Sequence, residues 1–144
     1  MNVLFVCTGN LCRSPMAHAI LESKAKELGL DVNVRSCGVL ATEGFRATPE
    51  AQRASAKYGG DLSRFGSSPC DAQTIRWADY VFCMTRRHLA YVQSIAPDCA
   101  DKATLLLPSG GEIADPIGAK HDVYSQCAWL IEQAVSKRLG EICE

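Results

Sequence analysis

The chain has 144 residues, room for one domain with its own core and too few for two. Hydrophobic residues make up 47% and charged residues 22%, an ordinary globular mix that excludes a disordered chain. Lysine plus arginine is 15 and aspartate plus glutamate is 16, a net charge of −1 that argues against binding nucleic acid or membranes through bulk charge.

The first strand is expected at residues 3–6, Val-Leu-Phe-Val, a continuous apolar run suited to burial on both faces. It lacks the basic start and the length of an export signal, so a soluble, cytoplasmic protein is expected. A helix follows over 15–28, with Ser14 as cap, Pro15 in its first position and Gly29 closing it. A second short strand falls at 32–36. Thr48-Pro49 opens a helix that runs to about Tyr58 and stops at Gly59-Gly60. A short helix is expected at 71–78, a buried strand at 80–84, a helix at about 86–95 and a strand at 103–107. Residues 108–119, with Pro108, Gly110, Gly111, Pro116 and Gly118, read as irregular. The last helix spans about 122–139, with Val123, Cys127, Leu130, Ile131, Ala134 and Val135 on one face. Strands alternating with helices imply an α/β fold: a single domain over 1–144 with a parallel four-stranded sheet and helices on both faces. Ligands in such a sheet sit beyond the carboxyl ends of the strands.

The eight cysteines are Cys7, Cys12, Cys37, Cys70, Cys83, Cys99, Cys127 and Cys143. Without an export signal they are expected reduced, most of them as small core residues. No Cys-x-x-Cys pair occurs, and His18, His88 and His121 do not sit at zinc-finger spacing, so no structural zinc is expected.

The segment after the first strand reads Cys7-Thr8-Gly9-Asn10-Leu11-Cys12-Arg13-Ser14-Pro15. A tight turn between a buried strand and a helix can aim successive backbone N–H groups inward, forming a phosphate-binding loop from Thr8 to Arg13. The helix start adds positive partial charge. Arg13 can hold two phosphate oxygens in a planar fork. Cys7 lies at the floor of this cradle, and the same donors favour a thiolate there. The Ser14 hydroxyl can donate to the sulfur, Asn10 tolerates left-handed backbone, and Gly9 permits the turn. One glycine is too few for a dinucleotide fingerprint, and Gly-Lys-Ser/Thr is absent. A thiolate attacking phosphorus needs a proton donor for the leaving atom. Asp115, stiffened by Pro116 and allowed to turn by Gly118, is the candidate on the last loop.

Together these segments resemble the low-molecular-weight protein tyrosine phosphatases, including their protein arginine phosphatase branch. The likeness rests on residues 7–15, on Arg35-Ser36-Cys37-Gly38 and on Asp115-Pro116-Ile117-Gly118, and covers essentially the whole chain. It implies Cys7 as nucleophile, Arg13 as phosphate clamp, Asp115 as general acid, a phosphocysteine intermediate, and no cofactor or metal. The implied partner is a phosphorylated protein, and the chain is expected to be a monomer or weak dimer. Leu11, Leu40, Phe45 and Ile117 are the candidate walls of a substrate cleft. Family members often carry an aromatic residue where Ile117 stands, and the arginine branch carries threonine where Leu11 stands. Leu11 cannot hydrogen-bond a guanidinium, which favours phosphotyrosine over phosphoarginine. Arsenate reduction, seen in another relative, needs cysteines to relay a disulfide, and none follows Cys83 at short spacing before Cys99. A non-catalytic phosphate binder or thiol sensor remains as a further class, opposed by the joint presence of Cys7, Arg13 and Asp115.

Cys12 lies five positions after Cys7 in one tight loop, so oxidation can bridge the two sulfurs and protect Cys7 from higher oxidation. Arg86-Arg87-His88 reads as a solvated helix start, His18 as a packing or surface residue, and Trp77 and Trp129 as core anchors. Cys143 is expected to be exposed.

Overall fold

The Val-Leu-Phe-Val run forms the strand its apolarity demands. The computed structural model describes residues 1–143. Strand β1 (Asn2–Cys7) alternates its side chains between two cores. Val3, Phe5 and Cys7 join one cluster, and Leu4 and Val6 join the other. The remaining strands are β2 (Asn33–Gly38), β3 (Tyr80–Cys83) and β4 (Ala103–Leu105). All pairings are parallel, in the order β2-β1-β3-β4. The chain thus steps outward from β1 on one side and then returns to its other side. That reversal places a crevice at the carboxyl end of β1, where the cysteine motif begins.

Helices α1 (Arg13–Leu28), α2 (Pro49–Ala56) and α5 (His121–Ile142) share the first core. Helices α3 (Ala72–Trp77) and α4 (Arg86–Ile95) contribute to the second. A 3-10 turn, Pro97–Lys102, leads into β4. The expected α/β architecture, with helices on both faces of a four-stranded parallel sheet, is the one observed. No helix of the described residues is long and apolar enough to cross a membrane.

Helix α1 starts at Arg13 rather than Pro15, and Ser14 does not cap it: its cap is Cys12, with no side-chain bond. The Ser14 hydroxyl instead turns to Cys7, as described below. Gly29 closes the helix in left-handed geometry, as expected. Strand β4 ends at Leu105, two residues short of the expected limit. The carbonyls of Leu105 and Leu106 are taken by the buried guanidinium of Arg138, at 2.6 and 3.0 Å. Helix α5 turns Tyr124 and Ala128 inward with Cys127 and Ile131. Val123 and Trp129 therefore face solvent, against the expectation that the first lies on the buried face and the second anchors the core. The buried arc of α5 is set by α1 and α2, against which it packs.

Cys37 and Cys70 are joined as a disulfide, which corrects the reading of these two as free core residues. Gly38 accepts from Cys70 N–H at 3.0 Å and donates to Ser68 at 2.9 Å, which brings the two Cα atoms to 5.0 Å. Cys7, Cys12, Cys83, Cys99, Cys127 and Cys143 are free, and Cys143 is the exposed one.

Candidate active site

The loop between β1 and α1 is held from outside by its carbonyls. Val39 and Leu40 donate N–H to the carbonyls of Cys7 and Thr8, each at 2.9 Å, and Thr48 donates to that of Leu11 at 3.0 Å. With its oxygens engaged outward, the loop turns its N–H groups the other way. Those of Thr8, Gly9, Leu11, Cys12 and Arg13 meet no acceptor among the described residues. Gly38 makes this close docking possible. A Cβ there would sit 2.5 Å from the Thr8 carbonyl oxygen and 2.7 Å from the Asn10 nitrogen.

Asn10 is the keystone of the turn. It is fully buried with φ 56, a left-handed conformation that asparagine accepts better than most residues. Its Nδ2 donates to Ser14 Oγ at 2.7 Å and to Ser36 Oγ at 3.1 Å, and its Oδ1 accepts from Ser68 N–H at 2.8 Å. Its backbone N–H points at Cys7 Sγ, 3.3 Å away. Ser14 Oγ lies 2.9 Å from Cys7 Sγ and 3.4 Å from the Cys37 carbonyl, to which it donates. The sulfur thus has the Ser14 hydroxyl and the Asn10 N–H as its polar neighbours.

The Arg13 guanidinium is buried, 4% exposed. Its Nη1 donates to the Ile113 carbonyl at 2.8 Å, and its Nη2 reaches Thr8 Oγ1 at 3.3 Å and Asp115 Oδ2 at 3.5 Å. Its Nε has no partner among the described residues. A buried charged donor without an acceptor is costly, and an anionic oxygen would satisfy it. Ile113 also donates N–H to the Met84 carbonyl at 2.9 Å, so the loop carrying Asp115 is pinned to the end of β3 and to Arg13 together. Asp115 Oδ1 accepts from Ile117 N–H at 3.1 Å, which leaves Oδ2 toward the guanidinium.

Cys7, Thr8, Gly9, Leu11, Cys12, Arg13, Asp115 and Ile117 line one cavity of about 170 Å³. The structure therefore brings the expected nucleophile, clamp and acid together with two of the four expected wall residues. Leu40 and Phe45 stand exposed and outside its lining. A larger cleft of about 670 Å³, bordered by His18, Arg35, Ser36 and Cys37, meets the loop only through residues behind Asn10 and lacks this nucleophile and acid. Cys12 packs inward against Tyr124 Oη at 3.3 Å, and burial raises its thiol above the ordinary range.

Sequence reasoning missed His88. It is buried rather than solvated, and its Nε2 lies 2.8 Å from Thr8 Oγ1. Thr85 and His88 form a capping box at the start of α4, a pattern usually signalled by Glu or Gln in the second position. Burial, reinforced by the Arg13 charge, lowers His88 from 6.5 to about 4. The unfolded chain takes up this proton as pH falls through 6.5, and the folded chain resists it until about 4. Stability is thus whole above pH 6.5 and falls toward pH 4 by on the order of 3 kcal/mol from this group. Urea unfolding from pH 7 to 4 should show a shallower decline for His88→Leu than for the parent; superimposable slopes would remove His88 as the titrating group.

Comparison with known proteins agrees with this geometry. Residues 2–144 match the family model described as low molecular weight phosphotyrosine protein phosphatase. A protein-arginine-phosphatase of Bacillus subtilis is 41% identical, covering 92% of this chain and 91% of its own. The crystal structure of a low molecular weight protein tyrosine phosphatase from T. tengcongensis superimposes with TM-score 0.93 at 36% identity, over 98% of this chain and 99% of that one. A YwlE arginine phosphatase, in a cysteine-to-serine variant with a phosphorylated active-site serine, gives TM-score 0.92 at 36% identity, over 99% of this chain and 95% of that one. A strand, a tight turn and a helix start in this order, and full-length likeness on both criteria, lead to one statement: the chain belongs to the low molecular weight phosphotyrosine protein phosphatase family.

Proposed function

We propose that the chain, as one domain over 1–144, hydrolyses phosphotyrosine in proteins through a phosphocysteine intermediate. The observation that carries this reading is the set of donors without acceptors, Arg13 Nε and the loop N–H groups, around the buried sulfur of Cys7. Cys7 attacks phosphorus as a thiolate while Arg13 and the N–H groups of Thr8 to Arg13 hold the equatorial oxygens. Asp115 gives its proton to the leaving oxygen as the bond to phosphorus breaks. The resulting carboxylate takes a proton from water, whose oxygen attacks the phosphocysteine and frees inorganic phosphate and the Cys7 thiolate. Asn10 and Ser14 keep the loop and the sulfur in register.

Leu11 and Ile117 supply the apolar walls for the substrate ring, with Leu40 and Phe45 as outer contacts for the protein around it. A peroxide takes two electrons and two protons from the Cys7 and Cys12 thiols, leaving as water and alcohol or as two waters, and the resulting disulfide makes the activity redox-sensitive. A cytoplasmic location and a monomeric or weakly dimeric state complete the reading.

Phosphoarginine is the second reading, favoured by the 41% identity to the Bacillus subtilis protein-arginine-phosphatase. Matched phosphotyrosine and phosphoarginine peptides separate the two. The parent is expected to turn over phosphotyrosine faster. Leu11→Thr, which restores a hydroxyl at the wall, should raise kcat/KM for phosphoarginine by about tenfold, the size of one good hydrogen bond. A parent that prefers phosphoarginine would reverse the assignment.

A further inference from the structure

Thr8 Oγ1 sits between two donors. Arg13 Nη2 approaches it at 3.3 Å and His88 Nε2 at 2.8 Å. Which nitrogen of His88 carries the proton follows from its other side. Nδ1 receives the Thr85 backbone N–H at 3.2 Å, and a backbone N–H can only donate. A neutral ring with Nδ1 accepting must hold its proton on Nε2. The imidazole therefore donates to Thr8, and so does Arg13. A hydroxyl oxygen accepts two hydrogen bonds, so both of its lone pairs are filled. The hydroxyl proton of Thr8 must then point elsewhere, and Thr8 lines the cavity beside Cys7.

We propose that His88 is a positioning residue for phosphoryl transfer: it fixes the Thr8 hydroxyl so that this group braces the Arg13 guanidinium and turns its own proton toward the phosphoryl oxygens. This inference rests on the phosphatase reading and adds to it a side chain outside the phosphate loop. The fold explains why the residue is available. His88 lies in the first turn of α4, directly after β3, and β3 is the strand beside β1 at the crevice. The Thr85 cap fixes the backbone of that turn, so the imidazole has little freedom to leave Thr8. The charged groups around it are Arg13 and Asp115 from the site, Arg87 on its own helix and Glu112 from the last loop. Burial and the Arg13 charge keep the ring neutral, and a neutral ring is the form in which Nδ1 accepts and Nε2 donates.

A double-mutant cycle tests this. p-Nitrophenyl phosphate turnover and the affinity for inorganic phosphate would be measured for the parent, His88→Leu, Thr8→Val and the double variant. His88→Leu and Thr8→Val are each expected to lower kcat/KM and phosphate affinity by about tenfold, as one charge-linked hydrogen bond would. The double variant should be no worse than Thr8→Val alone, because His88 acts through that hydroxyl. His88→Gln, whose amide can accept from Thr85 and donate to Thr8, should recover most of the loss. Equal losses from His88→Leu in both Thr8 backgrounds would show a merely structural role and overturn the inference, as would full activity of His88→Leu. Failure of the parent to hydrolyse the ester would sink the phosphatase reading instead. The phosphate-affinity cycle would then still decide for or against His88.

Discussion

Replacing Cys7 with serine is expected to lower turnover of aryl phosphates by roughly 10⁴-fold or more, the scale on which loss of a nucleophile acts. The polar neighbours of the sulfur are Ser14 Oγ at 2.9 Å and the Asn10 N–H at 3.3 Å. They cannot ionise an aliphatic hydroxyl near neutral pH. The change is small in volume, and Asn10, Ser14 and Ser36 remain bonded to one another. Thermal stability should therefore stay close to that of the parent, and inorganic phosphate should still bind. Steady-state kinetics beside phosphate titration separates loss of chemistry from loss of the site. Hydrolysis within tenfold of the parent would contradict a covalent role for the sulfur.

Arg13→Lys is expected to cost about 10³-fold in kcat/KM, the range found when a transition-state charge clamp is removed. One planar group here holds the Ile113 carbonyl, braces Thr8, sits beside Asp115 and keeps Nε free for the substrate. An ammonium offers three donors on a flexible stem and cannot match that fixed fork. The loss should fall on both steps, because releasing Ile113 also loosens the loop that carries the acid. Phosphate affinity should drop with turnover, unlike the Cys7→Ser case. A lysine variant within tenfold of the parent would mean that net charge alone suffices.

The strand, turn and first helix were legible because their determinants are contiguous. An apolar run, a Gly-Asn turn, Pro15 and Gly29 each act on their own neighbourhood. Asp115 was legible as a candidate through its Pro-x-Gly setting, but its approach to Arg13 depends on Ile113 bridging Met84 and the guanidinium. That bridge follows from β3 lying between β1 and β4, an order that no local pattern carries. His88 was hidden for the same reason. Arg86-Arg87-His88 has the composition of a solvated turn, and only the strand order directs the third member inward. The Cys37–Cys70 pair spans 33 positions and depends on Gly38 bonding to both Ser68 and Cys70. Trp129 illustrates a limit of periodicity: a helix of this length has several apolar arcs, and its neighbours select which one is buried.

The covalent step itself can be observed. Parent enzyme mixed with phosphorus-labelled substrate, quenched within one turnover and digested, should carry label on the peptide holding Cys7. The label should appear before free phosphate and disappear as phosphate is released. Turnover at full rate with no label on that peptide, or label fixed on another side chain, would contradict attack by Cys7.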